Sequence, residues 1–380
     1  MDTITVGSTV DFVVTIPYQL GYHPGQSLAV VGFVGKRVLG IMRIDLCEPD
    51  RPDVGADCLR TFAGAGADGV IIVAFESRPS QGASLLRSFR DGAAAHDIAV
   101  RDCFIVRGSE WFAVSATGHA LGRARPLPDA SRVPAIAEFV ARGRSPMADR
   151  QALRTLVECE ESTRSAEVGH RVRGLVTSLT RPPAPLTDLG DPPVTREAVR
   201  SWQLLLTEPE PPVDDVDLVA VALVGLLDRG WRDGLLAWLC PDSMSLDLLR
   251  ADVLAALQAI PRAVSSEPGP PAAGTDDGPA DAADADSPVR DELGRRLFSL
   301  CRLLPDDTGE AAAAVLTVAA HVSWCDGDGT LASIALERAL RVAPRYRLAE
   351  LLDRLVAAGV RASDARTVAT QSVHEVDPAA

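Results

Sequence analysis

The sequence predicts an α/β N-terminal domain, a mixed sheet with helices, followed by an all-α region that ends in a tetratricopeptide-like helical module. Three observations carry this. Short β-branched apolar runs alternate with helical spacings as far as Ser115, and from Ser131 onward only helical spacings recur. A Pro-, Gly- and Asp-rich stretch at 264–289 then sets the last group of helices apart.

Val10–Leu20 is an amphipathic run, joined by Gly21-Tyr22-His23-Pro24-Gly25-Gln26 to the apolar strand Ser27–Phe33. Val38–Asp45 is a second β-branched run, and Val34-Gly35-Lys36-Arg37 between them reads as a hairpin turn. Pro52–Gly64 places Cys58, Leu59 and Phe62 at helical spacing. Gly69–Phe75 is an uninterrupted apolar run of strand length, as in strands buried on both faces. Ser80–His96 is a second helix, and Ile98–Val106 with Trp111–Ser115 forms a final strand pair. The order ββαβαββ predicts a mixed sheet with packed helices.

Helices follow at Val133–Arg142, Met147–Arg154, Ser165–Leu179, Thr195–Thr207, Asp215–Asp228, Gly230–Leu239 and Ser245–Ala259. Pro182-Pro183-Ala184-Pro185 and Pro209–Pro212 punctuate them, since a helix interior does not tolerate such clusters. Ser265–Pro288 holds six acids, no base and no large apolar side chain, so it reads as a disordered acidic linker. Beyond it lie Arg290–Leu303, Gly309–Cys325, Thr330–Val342, Tyr346–Ala358 and Ser363–Ser372. Ala332, Leu336, Ala339 and Pro344, with Gly327 in the preceding turn, match the second helix of a tetratricopeptide hairpin, in a single copy. The expected domains are 1–125 (mixed α/β), 126–263 (helical), 264–289 (linker) and 290–380 (helical module).

Composition narrows the function. The 380 residues carry a net charge of −14, which argues against a nucleic-acid partner, because affinity for phosphate backbones rests on clustered cations. Seven cysteines, with no Cys-x-x-Cys pair, give neither a complete disulfide framework nor a zinc ribbon. A reduced cytoplasm is the expected location. No basic leader precedes an apolar run and no such run approaches membrane-spanning length, so no membrane association is expected.

Gly64-Ala65-Gly66-Ala67-Asp68-Gly69 spells the dinucleotide-binding glycine pattern, but a helix precedes it and a strand follows, the reverse of what a pyrophosphate needs. It reads as a helix C-cap and tight loop. Asp326-Gly327-Asp328-Gly329-Thr330, with Glu337 twelfth, imitates a calcium loop but has Leu331 where Gly belongs, so it reads as a helix–helix turn capped by Asp328 or Thr330. The six histidines show no His-x-x-x-His spacing. The acid pairs Glu158/Glu161 and Asp214/Asp217 lack histidines at matching spacing. No catalytic residue, cofactor or metal ligand set is assigned.

Two places remain as candidate sites. The opening loop offers Tyr22, His23, Pro24 and Ser27, and Pro24 fixes its conformation; Ser27, Cys47 or Ser115 could serve His23 as a nucleophile. Trp231 and Arg232, with Trp324, are candidate protein-interaction residues, because Trp and Arg are over-represented at interface hot spots.

The pattern Gly-aromatic-x-Pro-x-x-Ser-Leu at 21–28, followed by Val30-Val31-Gly32, Trp324-Cys325-Asp326-Gly327-Asp328-Gly329 and Ala335-Leu336-Glu337-Arg338-Ala339-Leu340, resembles the actinobacterial family called domain of unknown function 4192. The resemblance spans both ends of the chain. It implies an architecture and a bacterial lineage, and supplies no catalytic residues. The expectation is a cytoplasmic, non-enzymatic scaffold or regulator that binds an unidentified protein partner through helical surfaces. The alternative is a small-molecule-binding protein or enzyme with its site at the Gly21–Ser27 loop.

Overall fold

The structure, a computed structural model, describes residues 7–46, 52–141, 143–180, 193–241, 243–244, 249, 251–258, 260, 287–360 and 362. The described chain divides into two compact units that part between Leu153 and Arg154.

The first unit is a mixed six-stranded sheet with helices on both faces. Its elements are α1 (Thr9–Leu20), β1 (Ser27–Val34), β2 (Arg37–Asp45), α2 (Pro52–Gly64), β3 (Gly69–Phe75), α3 (Ala83–Ala95), β4 (Ala99–Arg107), β5 (Glu110–Val114), β6 (Ala120–Pro126) and α4 (Pro134–Ala141). The strands lie in the order β2-β1-β3-β4-β5-β6. Only β3 and β4 pair in parallel, joined through α3. All seven residues of β3 are buried, as an uninterrupted apolar run requires. On one face Leu28, Val30, Val70, Ile72, Ala74 and Ile105 meet Leu59 and Phe62 of α2 and Leu86 and Phe89 of α3. Each such side chain contributes about 1.5–3 kcal/mol on burial. On the other face Phe12 of α1 packs against Phe33 at 5.6 Å between ring centroids, and Tyr18 meets Phe139 of α4 at 6.0 Å.

The glycine pattern is a helix end followed by a strand. Gly66 adopts φ 79°, and the Ala67 N–H donates back to the Phe62 carbonyl at 2.9 Å. Asp68 then ties two turns together: its carboxylate accepts the Gly35 N–H at 2.6 Å and pairs with Arg101.

Two elements differ from the sequence reading. Strand β6 extends the sheet, although six of its seven residues are exposed, so no alternation marks it. The Arg125 guanidinium covers the Trp111 ring of its neighbour at 5.0 Å. The helix expected over Met147–Arg154 is only α5 (Arg150–Arg154), because Met147 is held in a bridge: its N–H donates to Gly21 and its carbonyl accepts from His23.

The second unit is helical. It comprises α6 (Thr163–Thr180), α7 (Pro193–Thr207), α8 (Val216–Gly225), α9 (Arg229–Leu239), α10 (Ala251–Gln258), α11 (Ser287–Leu303), α12 (Glu310–Cys325), α13 (Gly329–Val342) and α14 (Arg347–Ala357). Aspartates begin three of these helices: Asp215, Asp228 and Asp328 accept the N–H groups of Leu218, Trp231 and Leu331. Helix α12 is buried from Ala311 to Trp324, the expected fate of a helix apolar on every side, and it packs against α8, α9, α11, α13 and α14. Arg296 of α11 donates to the carbonyls of Leu205, Leu206 and Glu208 at the end of α7. The linker expected at 264–289 lies outside the described residues, except that 287–289 stand in the first turn of α11. The expected helix Ser363–Ser372 also lies outside them.

Candidate functional site

The opening loop is a turn held by its backbone. Tyr22 is buried, with the Arg43 guanidinium 6.0 Å from its ring, and burial raises its phenol above the ordinary value. Pro24 is buried and His23 is exposed. Ser27 is fully buried at the start of β1, and its Oγ has no hydrogen-bond partner. No side-chain hydrogen bond therefore joins His23 to Ser27. Cys47 lies outside the described residues, and Ser115 Oγ instead accepts the His119 N–H at 3.1 Å.

The three interaction candidates all lie inside the second unit. Trp231 is fully buried. Arg232 is 8% exposed and is held by Asp233 and by the Tyr346 hydroxyl at 2.8 Å. Trp324 donates from Nε1 to the Val360 carbonyl at 2.8 Å. Three of the four acids in these pairs meet arginines: Glu158 meets Arg341, Asp214 meets Arg164 and Asp217 meets Arg171.

Polar side chains converge elsewhere, where the end of α9 meets the last turns of α12. Cys240 follows Leu239 as the C-cap of α9 and is 1% exposed. His321 and Cys325 stand four residues apart on α12, which puts them on one face a turn apart. The Sγ atoms of Cys240 and Cys325 and a ring nitrogen of His321 all lie within 4.8 Å of one another. Ser243 completes the group. Its hydroxyl oxygen lies 2.9 Å from the Cys240 carbonyl oxygen and 2.7 Å from Nε2 of His321, so it ties the imidazole to the end of α9. The Trp324 ring meets His321 edge-on at 5.5 Å.

A family model described as Domain of unknown function (DUF4192) matches residues 10–363, nearly the whole chain. The chain belongs to that family. No curated protein matches it, and no solved structure does.

The cysteines of this DUF4192 chain fall into two chemical kinds. Burial pushes the thiols of Cys58 and Cys301 up to about 12 and that of Cys103 to about 11, which leaves them protonated and inert. Cys325 is drawn down to about 5, foremost by a hydrogen bond from Cys240, with His321 and Ser243 adding to it against the cost of burial. A shallow groove of about 470 Å³ beside Thr163, His170 and Val216, between α6 and α8, is separate from this site and gathers no nucleophile.

Reading the DUF4192 sequence for paired histidines and Cys-x-x-Cys passed over this group. The available signal was the mixed pair His321-x-x-x-Cys325, which needs only one helix to bring its members together. Cys240 and Ser243 come from a distant segment and carry no local signature.

Proposed function

We propose that this chain is a cytoplasmic, non-enzymatic regulatory protein whose helical unit binds a soft divalent metal ion, zinc foremost, through Cys240, His321 and Cys325. The observation that carries the proposal is the mutual approach of the three ligating atoms within 4.8 Å. A tetrahedral zinc site, with Zn–S about 2.3 Å and Zn–N about 2.0 Å, places its ligand atoms roughly 3.5–3.8 Å apart. The group needs to contract by about 1.3 Å at most. Two thiolates and an imidazole select against magnesium and calcium, which prefer oxygen. With Nδ1 as the ligand atom, Ser243 on Nε2 would supply the outer hydrogen bond that metal-bound histidines ordinarily make.

A regulatory role is favoured over catalysis because the opening loop joins no base to a nucleophile. Six cysteines outside any disulfide, among the described residues, suit a reducing compartment. The buried residues Ala332, Leu336 and Ala339 of α13, packed on α12, support a tetratricopeptide-like hairpin and through it a protein partner.

The test is a zinc titration of the reduced, metal-free full-length chain against a chromogenic chelator. One equivalent should bind. His321→Ala and Cys325→Ser should each abolish tight binding, and Ser243→Ala should weaken it about 10–100-fold. Absence of binding, or binding that ignores both ligand substitutions, overturns the reading.

A further inference from the structure

We infer that the same site is a redox switch, in which a hydroperoxide joins Cys240 to Cys325 as a disulfide and thereby expels the metal ion. The inference rests on the metal reading above and extends it to regulation. Its basis is geometric. The two sulfurs lie within 4.8 Å of each other and of one imidazole, so the atoms that would hold an ion are also the atoms that could bond to one another. Cys325 is partly exposed whereas Cys240 is 1% exposed beneath it, which gives an oxidant one sulfur to reach first and a second sulfur held in place to resolve the product.

The chemistry balances with a hydroperoxide as the only co-reactant. The Cys325 sulfur attacks the terminal peroxide oxygen, an S–O bond forms, the O–O bond breaks, and the alcohol leaves with a proton, giving a sulfenic acid. The Cys240 sulfur then attacks Cys325, the S–S bond forms, the S–O bond breaks, and water leaves carrying the remaining proton. Two sulfurs lose one electron each and the peroxide gains two. An ion left with His321 alone has lost both thiolates, and a single neutral imidazole does not retain it.

The setting favours this pair over the buried thiols. Cys58 and Cys301 are buried, and nothing delivers a water-borne oxidant to them. Ser243 and Trp324, both touching His321, hold the imidazole in place whether the sulfurs are reduced or joined.

The experiment treats zinc-loaded and metal-free full-length chain with hydrogen peroxide, follows zinc with a chromogenic chelator, and maps cross-links by mass spectrometry of unreduced peptides. The expected result is release of the bound equivalent in step with a Cys240–Cys325 cross-link, both reversed by dithiothreitol. Cys240→Ser should form no cross-link, and His321→Ala, which keeps both sulfurs, should still form it. The two readings fail separately. Absence of the cross-link in the metal-free chain overturns the switch whether or not zinc binds, while absence of zinc from the reduced chain overturns the metal reading whether or not the cross-link forms. Zinc retained through oxidation, with Cys325 carried on to a sulfinic acid, also overturns the switch.

Discussion

Asp306 holds the Arg338 guanidinium through one oxygen, 2.9 Å from Nε and 2.8 Å from a terminal nitrogen, while the arginine itself is 1% exposed. The remaining donors of Arg338 reach the carbonyls of Val157, Cys301 and Leu304, so a single side chain of α13 joins the segment before α6 to the end of α11. Removing it takes one partner from the exposed Asp306 carboxylate and a charged donor from three carbonyls inside the unit. Arg338→Ala should therefore destabilise the helical unit by about 3–5 kcal/mol in denaturant unfolding. Asp306→Asn should cost less, about 1–2 kcal/mol, since the three carbonyl bonds survive. Equal losses in the two variants would contradict this division.

Gly118 in the β5–β6 turn offers a second stability test. Its φ is 83°, and a Cβ there would stand 2.3 Å from the Ala83 carbonyl oxygen, a backbone atom that cannot step aside. Gly66 has a similar φ of 79° but nothing within 4 Å of the same position. Gly66→Ala should cost about 1–2 kcal/mol, the left-handed strain alone. Gly118→Ala should cost about 3 kcal/mol or more, because overpacking is added. Melting midpoints of the two variants, measured side by side, check the order.

The tie between Asp68 and Gly35 makes a pH prediction. The backbone hydrogen bond from Gly35 foremost, helped by Arg101, lowers the Asp68 carboxyl below its ordinary value. A carboxylate depressed in the folded state stabilises above its unfolded pKa, about 3.9, and that contribution is lost as pH falls through the folded value. The midpoint difference between the native chain and Asp68→Asn should accordingly be present at pH 7 and close below about pH 4. A gap that widens on acidification would refute the assignment.

The opening loop is predicted to serve the fold. His23 is exposed and contributes a backbone N–H to Met147, which any residue supplies, so His23→Ala should leave the melting midpoint unchanged. Pro24→Ala should lower stability by about 1 kcal/mol as the unfolded chain gains freedom. A stable His23→Ala chain that fails to complement its deletion in the native host would restore the loop as a site.

How much was legible depended on the range of the interaction. Gly69–Phe75 was readable residue for residue, because a strand buried on both faces must be apolar throughout. The cap of α13 was readable down to two candidates, Asp328 or Thr330, since capping is settled within one turn, and Asp328 takes it. Strand β6 was not: its sequence Ala120-Leu121-Gly122-Arg123-Ala124-Arg125-Pro126 has no buried face, and its pairing is dictated by β5. The same limit hid the site. His321 and Cys325 share a helix, whereas Cys240 reaches them only because α9 packs on α12. No local pattern sets Arg338 apart from other helix arginines, and only the carbonyls at Val157, Cys301 and Leu304 explain its place inside.

Cys240 and His321 are separated by roughly eighty residues of sequence, and the whole acidic stretch at 264–289 falls between them. A bond across that span, to a metal ion or between sulfurs, closes a ring through the chain. In the chain-entropy account such a ring removes about 4–5 kcal/mol worth of freedom from the unfolded state, nearly independent of how the intervening residues are composed. The stretch can then lengthen, shorten or be cut by a protease while α9 stays fastened to α12. With a metal ion or a disulfide in place, the cysteine–histidine group would add a second bonded link between α9 and α12, beside chain continuity through 264–289.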